Sequence, residues 1–457
     1  MEACELIYKK ENIAVKRPSD IEKAMDFCVD YMDFLNRAKT EREAAAEVIA
    51  LSEKEGYEEF KRGKEYKPGA KLYFNNRDKN VILVTIGQRP LSEGVRFNIA
   101  HIDCPRLDLK PNPLYEQDET ALFKTHYYGG IRKYQWTAVP LAIHGTVVLA
   151  SGEKKLISVG EKDTDPKFFI SDLLPHLSKK QDERTLKDGI KGEELNVIAG
   201  STPYQGSDEK ESYRLTVLKI LNDMFGMTEK DFLRAEIEVV PAAKASDIGF
   251  DRALIGAYGQ DDRVCAYTAM KAAFETTDPV HTTVTVFTDK EEIGSYGNTG
   301  MDSLYLDHFL SDLCEADGTV VRDLYRNSLC VSSDVGAAYD PTFSDVFEKN
   351  NACYLGHGPI ITKYTGARGK SGASDASAET MARVISALDG AQVCWQTGEL
   401  GKVDEGGGGT IALYIASHDV DTVDVGVPVL AMHAPYEVTS KLDVYHTYLA
   451  FKAVLMS

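Results

Sequence analysis

From residue 235 onward, apolar runs of strand length alternate with stretches of helical period. In order they are "AEIEVVPA", a helix after Asp262, "TTVTVFTD", a helix near Leu304 to Cys314, "SLCVSSD", a helix in "SAETMARVISALDG", "AQVCWQTGE", "VDVGVPVLAMH" and a last helix from Ser440. Successive strands separated by helices can share a sheet only by crossing over it. The pattern therefore predicts an α/β fold: a mostly parallel sheet flanked by helices on both faces. Two helices and three strands precede it. Ser19 stands before Glu22, and Thr40 before Glu43, at capping-box spacing, and "KLYF", "NVILVTIG" and "VRFNIAHID" read as strands.

Between Arg106 and Arg234 the texture changes. Proline and charge rise in "PRLDLKPNPLYEQDE", short alternating segments follow, and "SDEKESYRLTVLKILNDMFG" ends as one helix. Residues 106–234 thus read as an inserted smaller α+β domain. Residues 1–105 and 235–457 form the domain that it interrupts. The run Gly406 to Gly409 reads as a flexible loop.

A chain of 457 residues with 43% hydrophobic content can bury a large core. Its 52 basic against 71 acidic residues leave a net charge of −19. That argues against nucleic acid or an anionic membrane surface as partner. No apolar stretch reaches transmembrane length, and the N-terminus lacks the apolar core of a signal peptide. Eight cysteines, none at Cys-x-x-Cys spacing, read as buried thiols of a reducing, cytoplasmic compartment. The chain has neither a Gly-x-Ser-x-Gly elbow nor the lysine-bearing glycine loop of a phosphate binder, which removes those serine-hydrolase and nucleotide-binding readings.

Ligands of open α/β sheets gather at the carboxyl ends of the strands. Those ends carry His101 and Asp103, Glu291 and Glu292, Asp334, and His433, while "YGQDDR" places Asp261 and Asp262 at a loop-to-helix junction. Each alone is ordinary. Together they form a mixed nitrogen and oxygen set that suits zinc, with cobalt or manganese as alternatives.

"HIDCPRLDLK", "GQDDR", "DKEEIGS", "SSDVGAAYDP" and "LAMHAPYEV", in this order and with a long insert after the first, resemble the aspartyl aminopeptidase family of co-catalytic zinc metallopeptidases. The resemblance implies two zinc ions, held by His101, Glu292, Asp334 and His433 and bridged by Asp261. It makes Glu291 the general base and Asp103 the residue that orients His101. It further places Lys363, in "GPIITK", against an acidic N-terminal side chain of a short peptide. His176, in "LLPHL", would reach a neighbouring subunit's active site, with His144 as the competing candidate. The insert would be a dimerisation domain, and dimers would assemble into a tetrahedral dodecamer. Cleavage after neutral N-terminal residues, and a non-catalytic scaffold role, are the alternatives.

Overall fold

The strands that carry the site are apolar on both faces. In Arg96–His101, Phe97 and Ile99 join one hydrophobic cluster while Ala100 joins the other, as does Ile102 just beyond the strand. Thr283–Thr288 divides Val284 and Val286 from Phe287 in the same way. A strand buried on both sides needs helices on both sides. A computed structural model describes residues 6–206 and 211–457 and supplies them. One cluster takes in residues of Asp20–Arg37, Glu41–Lys54, Gln260–Phe274 and Lys441–Leu455; the other takes in residues of Tyr305–Glu315 and Val321–Arg326.

The chain forms two compact units. The first comprises Met1–Asp103, Ala245–Met432 and Glu437–Ser457; the second comprises Cys104–Lys244 and His433–Tyr436. Among the described residues the first unit holds a nine-stranded sheet. At its centre Thr283–Thr288, Arg96–His101, Leu329–Ser333 and Asp421–Gly426 run parallel, and antiparallel pairs flank them. In this register His101 lies opposite Thr288, and Ser333 opposite Ala100, so three neighbouring strands end together. A separate five-stranded sheet includes Leu254–Ala257, which leads into the helix Gln260–Phe274.

The second unit is built on a six-stranded antiparallel sheet with the helix Ser212–Phe225. Its boundary differs from the sequence reading. Ala235–Pro241, read there as the first strand of the main domain, pairs with Leu141–Val148 and Arg106–Gln117. An apolar strand has the same pattern in either sheet, so periodicity alone could not assign it.

Local signals met mixed outcomes. Thr40 and Glu43 form the reciprocal capping box. Ser19 makes no side-chain cap, because its backbone is already helical (φ −66°, ψ −17°) and its hydroxyl is not turned onto the first N–H groups. The start of the helix read from Ser207, and Cys4, lie outside the described residues; the other seven cysteines are buried thiols.

Candidate metal centre

The parallel strand ends deliver the site. His101 closes the middle strand, fully buried, and its ring is held by its own turn: Nδ1 lies 3.0 Å from the Asp103 carbonyl oxygen and 3.3 Å from Asp103 Oδ1. An N–H on Nδ1 donated to Asp103 leaves a lone pair on Nε2. That atom is buried, lies 3.2 Å from Asp261 Oδ1 and 3.7 Å from Asp334 Oδ1, and sits in no hydrogen-bonding geometry.

The neighbouring strand, Thr283–Thr288, runs into a short turn with Glu291 and Glu292. Asp103 grips this turn, its Oδ1 accepting the Glu291 N–H at 3.1 Å and its Oδ2 the Glu292 N–H at 3.2 Å. The two glutamates then diverge. Glu291 groups with His101 and Asp334, and Glu292 with His101 and Asp261; a third group joins Asp261, Asp262 and Asp334. Within each group the ligand atoms lie within 4.8 Å of one another.

Asp261 and Asp262 precede the regular part of their helix, with non-helical backbone and a cis peptide between them. Gly259 makes this entry possible: its φ is +73°, and a Cβ there would stand 1.5 Å from the Arg263 guanidinium. Glu437 accepts the Asp261 N–H at 3.1 Å.

So many carboxylates around one imidazole cannot all stay ionised without countercharge. Burial, then the Asp334 and Asp261 carboxylates, pushes Asp262 well above the usual carboxylate range. Burial, reinforced by Asp334, Asp103 and Asp261 against the opposing effect of His101, raises Glu291 to about 8. Burial pulls His101 down, yet the carboxylates of Asp103, Asp261 and Asp334 outweigh it and hold the imidazole well above its ordinary value. Acids raised and a base raised together mark a pocket short of positive charge. A nitrogen lone pair aimed at carboxylate oxygens fits a divalent cation, and the nitrogen and oxygen donors fit zinc.

The other sequence candidates are not members of these groups. His433 belongs to the second unit and to none of these groups; its Nδ1 is 2.8 Å from the Gly130 carbonyl oxygen. Lys363 follows the strand Ile360–Thr362 and pairs with Asp375 at 2.8 Å, an acid that also takes Lys370 at 3.0 Å. His176 is exposed in a turn of the second unit. His144 is buried in a strand with Nε2 3.0 Å from Glu161, the arrangement of a satisfied strand histidine. Sequence reasoning left out Glu437 and the role of Asp103 on the glutamate backbone. Neither carries a local signal, since both act across long separations in the chain.

Comparison with known proteins gives the family. The profile described as aminopeptidase I zinc metalloprotease (M18) matches residues 34–455. A probable M18 family aminopeptidase 1 of Clostridium acetobutylicum is 47% identical, covering 93% of each chain. The crystal structure of an M18-family aminopeptidase from Thermotoga maritima is 42% identical, with TM-score 0.94 over 98% of this chain and 99% of its own. The mApe1 dodecamer of S. cerevisiae, 19% identical with TM-score 0.76 over 94% and 96% of the two chains, shares the fold. Fold and site define a zinc metallo-aminopeptidase. The chain belongs to the M18 family.

Proposed function

We propose that the chain removes acidic N-terminal residues, aspartate or glutamate, from short peptides with two zinc ions per subunit. The observation that carries the reading is the convergence of His101, Asp261, Glu291, Glu292 and Asp334 on one another beyond the ends of the central strands. In this reading His101, Glu292, Asp334 and His433 would hold the ions, with Asp261 shared between them. When bound, the ions supply Lewis acidity and activate water as a nucleophile. Glu291, grouped with His101 and Asp334 beside the ligand set, would accept a proton from the attacking water and pass it to the leaving amine. Asp103 holds the His101 ring and the glutamate turn so that base and ligands keep their spacing.

Lys363 provides the ammonium for the acidic side chain, and His176 serves a neighbouring subunit across a dimer made by the second unit, within a tetrahedral dodecamer. The buried cysteine thiols support a cytoplasmic location. Among the described residues no helix is long and apolar enough to cross a membrane. The ion pair between Lys363 and Asp375 favours the alternative, a neutral N-terminal preference, because that ammonium already has a counterion. A panel of aspartyl, glutamyl, alanyl and leucyl chromogenic amides decides between them. Chelator-sensitive release from the acidic amides, restored by zinc, is the expected result; a leucyl preference removes Lys363 from the pocket.

A further inference from the structure

We infer that Asp289, Lys290 and Thr299 form a latch whose role is to set the separation of the Glu291 and Glu292 carboxylates, an inference that rests on the two-zinc reading above. The two glutamates follow a fully buried strand by only three and four residues, yet their carboxylates must enter different ligand groups. The chain manages this by a tight turn with Lys290 in the left-handed region (φ +69°), where a residue with a side chain is disfavoured and must be held.

The holding contacts are closed on themselves. The Lys290 ammonium donates to Thr299 Oγ1 at 2.7 Å and to Asp289 Oδ2 at 3.1 Å, and the Thr299 hydroxyl donates to the same Asp289 oxygen at 2.7 Å. The Lys290 carbonyl accepts the Ser295 N–H at 2.7 Å, which closes the loop around the glutamates. Thr299 is tied to the sheet in turn: its carbonyl oxygen accepts from the buried Asn80 side chain at 2.6 Å. Lys79, paired with Glu41 at 2.9 Å, stands 4.0 Å from Asp289 and adds countercharge.

The turn is thus gripped from opposite ends, by Asp103 on the backbone of Glu291 and Glu292 and by the latch on Lys290. A site of this kind tolerates little displacement, since about 1 Å of misplacement costs on the order of a hundredfold in rate. These are positioning residues; none is assigned contact with substrate or metal.

The test compares Thr299→Val with Thr299→Ser. Thr299→Val keeps the volume and removes the hydroxyl, while Thr299→Ser keeps it. In the metal-free chain, the amides of residues 290–295 should exchange hydrogen about tenfold faster in Thr299→Val. In the cobalt-loaded chain the visible absorption should shift, and kcat should fall about tenfold or more with little change in KM. Thr299→Ser should restore all three. Wild-type exchange, cobalt spectrum and kcat in Thr299→Val, or equal damage in Thr299→Ser, overturns the latch. Altered exchange and cobalt spectrum in a chain whose wild type cleaves no amide would support the latch and refute the peptidase reading instead.

Discussion

Replacing Asp103 with Asn tests how the centre is held. Its carboxylate accepts two backbone N–H groups, at 3.1 and 3.2 Å, and lies 3.3 Å from His101 Nδ1. An amide is nearly the same size but has one acceptor and one donor end. Whichever way it turns, its NH2 meets an N–H, so one charge-assisted bond is lost and a donor is left buried without an acceptor. Such bonds contribute roughly 1.5–3 kcal/mol each, and the stranded donor costs about as much again. The His101 ring should be disturbed less, because the Asp103 carbonyl, at 3.0 Å, survives the substitution. The damage should therefore reach the metals through the glutamate turn, with zinc affinity falling about 10- to 100-fold. Competition titration with a chromophoric chelator measures it, alongside the melting temperature of the metal-free protein. An Asp103→Asn chain with wild-type zinc affinity and melting temperature would show that the two N–H contacts do no positioning.

Glu291→Gln should retain zinc by metal analysis yet lose about 10²- to 10⁴-fold in kcat, since the amide cannot accept the proton; an active variant moves the base elsewhere. His433→Ala should lower zinc stoichiometry together with activity, and full occupancy would remove it from the ligand set. Zinc removal should be pH-sensitive. With Glu291 raised to about 8 in the metal-free fold, its stabilising protonated form is complete below the ordinary carboxylate range and is lost as pH rises through 8. Chelation should thus depress the melting temperature more at about pH 9 than at about pH 6, by roughly 5 °C, and a flat difference would refute the assignment.

Much of the site was legible because strand ends in a parallel sheet converge. His101, Glu291, Glu292 and Asp334 could be gathered from sequence by that rule, Asp261 came from a loop-to-helix junction, and the helix read near Leu304 to Cys314 is Tyr305–Glu315. What escaped depends on contacts between distant segments. The pairing of Ala235–Pro241 is a choice between two sheets that its own residues do not encode. The double grip of Asp103 needs the 3.1–3.2 Å approach of a turn nearly two hundred residues later. Lys363 read as a pocket residue from its motif, and its Asp375 partner shows how motif similarity leaves a charge's local company open.

Because its members come from both sides of the long 104–244 excursion, the centre cannot be built piecemeal as the chain is synthesised. Of the centre's own acids, only Asp103 is made beside His101, and Asp334 arrives only after the intervening unit has been made. Until then the acids belong to separate, solvated segments and do not oppose one another. Their mutual repulsion begins only as the sheet closes, so the charge that the cations offset is a property of the finished fold.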